Sequence, residues 1–334
     1  MWITSLLQRG DSMRPVTSQP VRIGVALGGG SARGYAHIGA LACLERHGLA
    51  PHVIVGTSFG AVVGAMYAAG GPIEELVARA SATRRRDVFP HVADFGLHHA
   101  ALFRGRRLEE YFDRLVEGRT FEDLERELVV VTTDVDSGER VLLREGPLAP
   151  ALRASASLPG VFAPVQVDGR RLIDGGIGSP VPLDTLLDIG VDVAVGIGAG
   201  MQARDSRSIR LARRALGSRL GGRLHASALG RRPRHAMGRL GHALALAAGS
   251  WLVDEGREQE ETEIEVGRTD PGVAAGRFEV HTRPPIHWLN FHRAKEAIAA
   301  GDAALSALVP RLRRACVAAG SRRLMPVALP AAGD

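Results

Sequence analysis

Residues 53–64 read VIVGTSFGAVVG, and this stretch joins a strand pattern to a helix pattern. β-Branched apolar residues predict a buried strand over 52–57, and small apolar residues at helical spacing predict a helix over 61–69. The turn between them carries the pattern G-x-S-x-G over 56–60, in which Ser58 is the serine. Such a turn exposes a serine side chain at the end of a strand, as a nucleophile requires. A turn that merely needs a small residue is the alternative interpretation of Ser58.

The segment before this stretch completes a β-α-β unit. A strand is predicted over 21–27 and a helix over 34–48, so the first strand and the strand over 52–57 must run parallel. Further strands are predicted over 127–135, 140–144, 171–174, 191–199 and 278–284, and further helices over 73–82, 107–117, 181–189 and 291–318. Strands that alternate with helices in this way predict an α/β fold.

Length and composition favour one large globular domain. The chain has 334 residues, of which 45% are hydrophobic, enough for a sizeable core. We predict an α/β domain over 21–318, a mobile N-terminal tail over 1–20 and a C-terminal tail over 319–334. Cys43 and Cys316 lie far apart in helix-like surroundings, which indicates reduced thiols in a cytoplasmic setting. The N-terminal residues lack a long apolar core and predict neither a signal peptide nor a membrane span.

The net charge of +6 is unevenly distributed, and Lys295 is the only lysine among 42 basic residues. An arginine-rich segment over 204–239 is predicted as an insertion within the domain. It lacks interleaved aromatic side chains, so nucleic-acid binding is not expected. Its residues 206–220 have the spacing of an amphipathic helix that could contact an anionic membrane surface, and a solvated insertion is the alternative. Residues 241–253 are too short to span a membrane and predict a core helix.

Residues 28–34 read GGGSARG and follow the first predicted strand. The segment does not match a dinucleotide-binding motif starting at Gly28, because Arg33 stands at the position of the last glycine. It does not match a phosphate-binding P-loop either, because Tyr35 stands at the position of the lysine. Glycines with bare backbone N–H groups at a helix N-terminus form a nest that suits an oxyanion. Arg33 would add positive charge or brace this loop. A tight turn without a ligand is the alternative.

The glycine loop and the serine turn both lie at the carboxyl ends of strands, where open α/β sheets bind their ligands. That placement suits acyl transfer, in which Ser58 attacks a carbonyl and backbone donors stabilise the oxyanion. The serine also needs a base. A Ser-Asp-His order would use one of three late histidines, His281, His287 or His292. The other candidate is Asp174, which directly follows a strand in RLIDGG, and a turn aspartate that caps its own backbone is the non-catalytic alternative.

Four motifs, taken together and in this order, resemble those of the patatin-like phospholipases. They are GGGSARG over 28–34, GTSFG over 56–60, ASASLPGVFAPV over 154–165 and DGG over 174–176. A later stretch, WLNFHRAKEAIAAGDAAL over 288–305, resembles the closing helix of bacterial members. The resemblance implies a three-layer α/β/α sandwich with a mostly parallel central sheet. It also implies hydrolysis of lipid acyl esters without a metal or an organic cofactor.

The resemblance also implies roles for individual residues. In the family a Ser-Asp dyad replaces the triad, which makes Ser58 the nucleophile and Asp174 the general base. The other implied site residues are, in the oxyanion loop, Gly28, Gly29, Gly30 and Arg33; in the nucleophile elbow, Gly56 and Gly60; and in the base loop, Gly175 and Gly176. Ser157 and Pro159 are interpreted as architecture beside the site. Aspartate is a weak base unless partial burial raises its pKa.

These features predict a serine lipid acyl hydrolase, similar to a phospholipase A or lysophospholipase, that cleaves fatty acyl esters. We expect a lipid or phospholipid substrate and a cytoplasmic protein in peripheral contact with the inner membrane surface. A general carboxylesterase with a Ser-Asp-His triad is one alternative, and a non-catalytic regulatory or adaptor protein on the same fold is another. The sequence specifies neither the acyl position, headgroup and chain length of the substrate nor the oligomeric state.

Overall fold

A computed structural model gives the structure of most of the chain. It describes residues 20–84, 86–88, 94–98, 101–199, 263–266, 276–282, 284–287 and 289–323. The predicted arginine-rich insertion, its amphipathic helix, the helix over 241–253 and most of both predicted tails lie outside the described residues. Among the described residues, no helix combines the length and apolar character that crossing a bilayer requires.

Twelve strands and seven α-helices of at least seven residues, with four short 3-10 helices, are assigned in the described part of the fold. The strands are β1 (Ile23–Leu27), β2 (Val53–Thr57), β3 (Phe95–His98), β4 (Ala101–Phe103), β5 (Glu127–Asp134), β6 (Arg140–Leu143), β7 (Gly160–Phe162), β8 (Val165–Val167), β9 (Arg170–Asp174), β10 (Val193–Ala199), β11 (Glu263–Val266) and β12 (Gly276–Thr282). The helices are α1 (Ala36–Arg46), α2 (Phe59–Ala68), α3 (Ile73–Ala82), α4 (Arg106–Val116), α5 (Leu148–Ser155), α6 (Leu183–Ile189) and α7 (Ala294–Arg323).

The central sheet has the strand order β11-β12-β10-β1-β2-β5-β9-β8, and β6 also pairs with β5. Its five middle strands, from β12 to β5, run parallel. The strands β11, β6, β9 and β8 are antiparallel to their neighbours. A second, three-stranded sheet joins β3, β4 and β7. The predicted mostly parallel central sheet is therefore confirmed, with antiparallel strands added at its margins.

The two faces of the central sheet pack against different helices, because successive strand residues point to opposite sides. On one face, Val25 and Leu27 join a core that includes Ile38 of α1 and Leu308 of α7. On the other face, alternating residues such as Val55 pack against α6 and its flanking segments. The chain therefore forms helix, sheet and helix layers, which confirms the predicted α/β/α sandwich.

Helices α1 and α7 approach each other through two glycines. A Cβ atom added to Gly39 of α1 would lie less than 3.0 Å from the carbonyl oxygen of Ile298. A Cβ atom added to Gly301 of α7 would meet the carbonyl oxygen of Ala36 just as closely. The two helix backbones are therefore in direct contact, and this contact fixes the helix that follows the glycine loop.

The long predicted elements and the short strand β6 agree with the structure to within a few residues, whereas helix α5 and five short strands were missed. The final helix continues to Arg323, beyond the predicted domain boundary at 318. Helix α5 carries Pro150 in its first turn, where proline is tolerated although it obscures the helical pattern. Strands β3, β4, β7, β8 and β11 have only three or four residues, too few for a clear alternation of apolar and polar positions.

Candidate active site

Two strand ends meet beside β5. Thr57, the last residue of β2, pairs with Val131 of β5. Asp174, the last residue of β9, pairs with Thr132, which is the next residue of β5. Because β2 and β9 run in opposite directions on the same side of β5, both end at this point. Ser58 follows Thr57 directly, so the sheet register brings Ser58 and Asp174 together.

Ser58 lies on a sharp turn between β2 and α2. Its φ is 55° and its ψ is −128°, in a region that residues with a Cβ atom rarely adopt. The glycines of the motif permit a close approach of backbones: a Cβ atom on Gly60 would lie less than 3.0 Å from the carbonyl oxygen of Leu27, and one on Gly56 would meet Ala61 as closely. The stretch 56–60 therefore has the geometry of a nucleophile elbow.

Asp174 is buried, with 6% of its surface exposed. Its Oδ1 accepts a hydrogen bond from the backbone N–H of Gly176 at 2.7 Å. Burial raises the pKa of Asp174 from 3.8 to about 6, and the hydrogen bonds from Gly176 and from the Ser58 side chain oppose this increase. The carboxylate is therefore still largely ionised at neutral pH, yet more basic than an exposed aspartate.

The glycine loop is only partly available to an oxyanion. The N–H of Gly28 donates to the carbonyl oxygen of Ile197 at 2.9 Å, and that of Gly29 donates to Pro180 at 3.1 Å. The expectation of bare N–H groups throughout the loop is therefore wrong for these two glycines, because neighbouring loops supply acceptors. Within the described part of the chain, the N–H of Gly30 has no acceptor.

Gly29 nevertheless lies next to the nucleophile, since a Cβ atom on Gly29 would lie 3.4 Å from the Cβ atom of Ser58. Arg33 donates from Nε to the carbonyl oxygen of Ile286 at 3.0 Å. Of the two roles expected for Arg33, the structure supports bracing of the loop.

His37 also holds the glycine loop, and sequence reasoning missed it. Its Nε2 lies 2.8 Å from the carbonyl oxygen of Gly28, and the ring is fully buried. Burial lowers the pKa of His37 to about 4, so the ring is neutral near pH 7 and donates through Nε2–H. The only sequence signal was its position in the first turn of the helix that follows the loop.

The end of α5 and the residues that follow it contact both strand ends. Ser155 accepts a hydrogen bond from the backbone N–H of Ser58 at 2.8 Å and donates one to the carbonyl oxygen of Val131 at 2.7 Å. The carbonyl oxygen of Ser157 accepts the backbone N–H of Asp174 at 3.0 Å. Sequence reasoning selected Ser157 as architecture and overlooked Ser155.

Three aromatic rings pack edge to face beside the elbow. Tyr35 and Phe59 have ring centroids 5.1 Å apart, and Phe291 lies 5.8 Å from Phe59 and 6.2 Å from Tyr35. Such pairs add about 0.5–1.5 kcal/mol beyond their burial. The cluster joins the glycine loop, the elbow and the start of α7.

The three late histidines form no described hydrogen bond with Ser58 or Asp174. His281 is on β12, which β10 and β1 separate from β2, and its Nε2 lies 3.1 Å from Glu279. His287 and His292 are exposed. Among the described residues, neither Ser58 nor Asp174 has a histidine as a hydrogen-bond partner. Within the same residues, no group of three or more His, Cys, Asp and Glu side chains could hold a metal ion.

Comparison with known proteins gives consistent matches. Residues 25–187 match the sequence model of a family described as patatin-like phospholipase. An uncharacterized NTE family protein of Mycobacterium tuberculosis is 36% identical over 186 residues, which are 56% of this chain and 51% of that protein. Human patatin-like phospholipase domain-containing protein 6 is 32% identical over 189 residues, 54% of this chain and 13% of that protein. The match thus spans about half of the mycobacterial relative and a small part of the human one.

The solved structure of human GIVD cytosolic phospholipase A2 matches with a TM-score of 0.51 at 10% identity, over 91% of this chain and 61% of that chain. At this identity the likeness concerns the fold, which is the α/β fold of that phospholipase. The sequence matches are more specific. The most specific of them is the match of residues 25–187 to the patatin-like phospholipase family.

Proposed function

We propose that this protein hydrolyses lipid acyl esters through a dyad of Ser58 and Asp174. The observation that carries the proposal is the pairing of Thr57 and Asp174 with consecutive residues of β5, which supports a direct contact between nucleophile and base. The match to a phospholipase family supports a lipid ester as the substrate class. A phospholipid or lysophospholipid is the substrate we propose, by analogy with the names of the relatives.

The reaction has two halves. Ser58 Oγ attacks the ester carbonyl and transfers its proton to Asp174, and we assign the N–H of Gly30 as a donor to the developing oxyanion. The tetrahedral intermediate collapses, the alcohol leaves with the proton from Asp174, and an acyl-serine results. Water then attacks the acyl-serine, loses its proton to Asp174, and the fatty acid is released as Ser58 regains a proton.

The pKa of Asp174 makes this assignment chemically reasonable. A general base works best when its pKa lies near the working pH, and a value of about 6 is closer to neutrality than 3.8. A triad with a late histidine receives no comparable support. On β12, His281 is three strand positions from β2, on the order of 14 Å at about 4.8 Å per strand.

A fluorophosphonate probe followed by mass spectrometry of the labelled peptide tests the proposal. We expect one adduct, on Ser58, together with fatty acid release from lysophosphatidylcholine. Ser58→Ala and Asp174→Asn should each abolish release, whereas His281→Ala, His287→Ala and His292→Ala should keep it. Absence of an adduct and of hydrolysis in folded protein would contradict the proposal and favour an adaptor role. Loss of activity in one histidine variant alone would favour the triad.

A further inference from the structure

We propose that Ser155 is a positioning residue that fixes the nucleophile through its backbone rather than through its hydroxyl. Its Oγ lies between two groups, the N–H of Ser58 at 2.8 Å and the carbonyl oxygen of Val131 at 2.7 Å. A serine hydroxyl has a single proton, and the carbonyl must accept it. The lone pairs of Ser155 Oγ are therefore directed at the N–H of Ser58.

This contact acts on a strained part of the backbone. Ser58 has a φ of 55°, and such conformations cost on the order of 1–3 kcal/mol unless their surroundings hold them. Ser155 is fully buried, so its bonds to Ser58 and Val131 are shielded from competing water. Because Val131 is the backbone partner of Thr57, the hydroxyl ties the elbow to the strand that also pairs with Asp174.

The same segment holds the base two residues later. The carbonyl oxygen of Ser157 accepts the N–H of Asp174, and the Ser157 side chain is bonded to Arg153. Arg153 is buried and anchors this turn through the carbonyl oxygens of Gly105 at 2.8 Å and Ala163 at 3.0 Å. One short segment therefore sets the positions of both dyad residues, with Ser155 serving Ser58 and Ser157 serving Asp174.

Two consequences follow for the reaction, and both rest on the proposed function. The N–H of Ser58 is occupied by Ser155, so it does not serve as an oxyanion donor. Ser155 instead fixes the direction in which Ser58 Oγ points. A displacement of about 1 Å in a reacting group can cost roughly 10²-fold in rate, so loss of this hydroxyl should slow acylation without changing how substrate binds.

The test uses Ser155→Ala in the full chain. We expect the rate constant for fluorophosphonate labelling of Ser58 and the kcat for p-nitrophenyl butyrate to fall about 10- to 100-fold, with KM within about twofold of wild type. The matched control is Thr282→Val on β12. This change removes a buried hydroxyl that donates to the carbonyl oxygen of Gly198 on β10 at 3.0 Å.

A labelling rate in Ser155→Ala equal to that of Thr282→Val would overturn the inference while leaving the proposed function intact. An equal fall of kcat in Ser155→Ala and Thr282→Val would also overturn the inference, because it would reflect a general loss of stability. If Ser155→Ala does not fold, Ser155→Cys keeps the side-chain size with weaker hydrogen bonding. A wild-type rate in Ser155→Cys would then overturn the inference, and an intermediate rate would support it. Failure of wild-type protein to react at Ser58 would remove both proposals.

Discussion

His37 Nε2 lies 2.8 Å from the carbonyl oxygen of Gly28, so a buried neutral imidazole holds the first residue of the glycine loop. His37 lies in the first turn of α1, and its side chain binds the glycine loop that precedes this helix. The loop is fixed from three sides, because the N–H of Gly28 is bonded to Ile197 and Arg33 is bonded to Ile286. The oxyanion role that we propose for the N–H of Gly30 would depend on these supports.

Replacement of His37 by alanine should destabilise the fold and reduce catalysis. The change leaves the carbonyl oxygen of Gly28 without its donor in a buried setting, which costs about 1–3 kcal/mol, and it adds a cavity. Urea denaturation and the kcat for an ester substrate check this. His292→Ala is the control, since His292 is exposed and should change neither quantity. Equal behaviour of the two variants would contradict a supporting role for His37.

The pH dependence of catalysis should report Asp174. The carboxylate must be ionised to accept the serine proton, and its pKa is raised to about 6 by burial. We expect kcat/KM to rise with pH and to level off above an apparent pKa near 6. Initial rates from pH 4.5 to 8 measure this, with circular dichroism at each pH as a control for folding. A kcat/KM that is already constant from pH 5 upward, as expected for a base with the ordinary aspartate pKa of 3.8, would contradict the assignment of a buried base.

Asp174→Asn should lose activity and gain stability at neutral pH. Because the folded-state pKa lies above the ordinary value of 3.8, the folded protein binds this proton more tightly than the unfolded chain does. Stability therefore falls as pH rises from about 4 to 6, by up to about 3 kcal/mol. Asparagine carries no charge and keeps the oxygen that accepts the N–H of Gly176.

The increase in the free energy of unfolding caused by Asp174→Asn should accordingly be present at pH 8 and absent below pH 4. Urea denaturation of wild type and variant at both values measures it. A variant that is less stable than wild type at pH 8 would show that the ionised carboxylate makes compensating interactions.

Ser58→Gly should be more stable than Ser58→Ala, although both are expected to be inactive. The φ of 55° strains alanine and suits glycine, a difference on the order of 1 kcal/mol. Thermal unfolding of the two variants checks this. Ser306 in α7 offers the opposite control: there glycine should be less stable than alanine by about 1 kcal/mol, because position 306 is helical.

Gly301→Ala should weaken the docking of α7 on α1. The added methyl group would collide with the carbonyl oxygen of Ala36, and overpacking of this kind costs about 1–3 kcal/mol. The control is Gly320→Ala in the same helix, where the nearest atom would be a methyl group of Val21 at 3.7 Å. Chemical denaturation should show a lower free energy of unfolding for Gly301→Ala and an unchanged one for Gly320→Ala.

The parts of the site that depend on short local motifs were predictable from the sequence. The elbow around Ser58 and the turn after Asp174 require glycines at fixed offsets, and those offsets can be read directly. The bonds of Ser155 and His37 were not predictable, because an ordinary serine and an ordinary helical histidine acquire their partners only through packing. For the same reason, the sequence did not show that the N–H of Gly28 is occupied, because its acceptor, Ile197, lies on the distant strand β10.

The meeting of β2 and β9 beside β5 also bears on how the protein folds. Ser58 and Asp174 come from distant parts of the chain, and they become neighbours only when β5 has paired with one strand that precedes it and one that follows it. Long-range pairings of this kind are entropically costly and form slowly. Reactivity at Ser58 should therefore emerge late in refolding, which makes covalent labelling of this serine a reporter of complete folding.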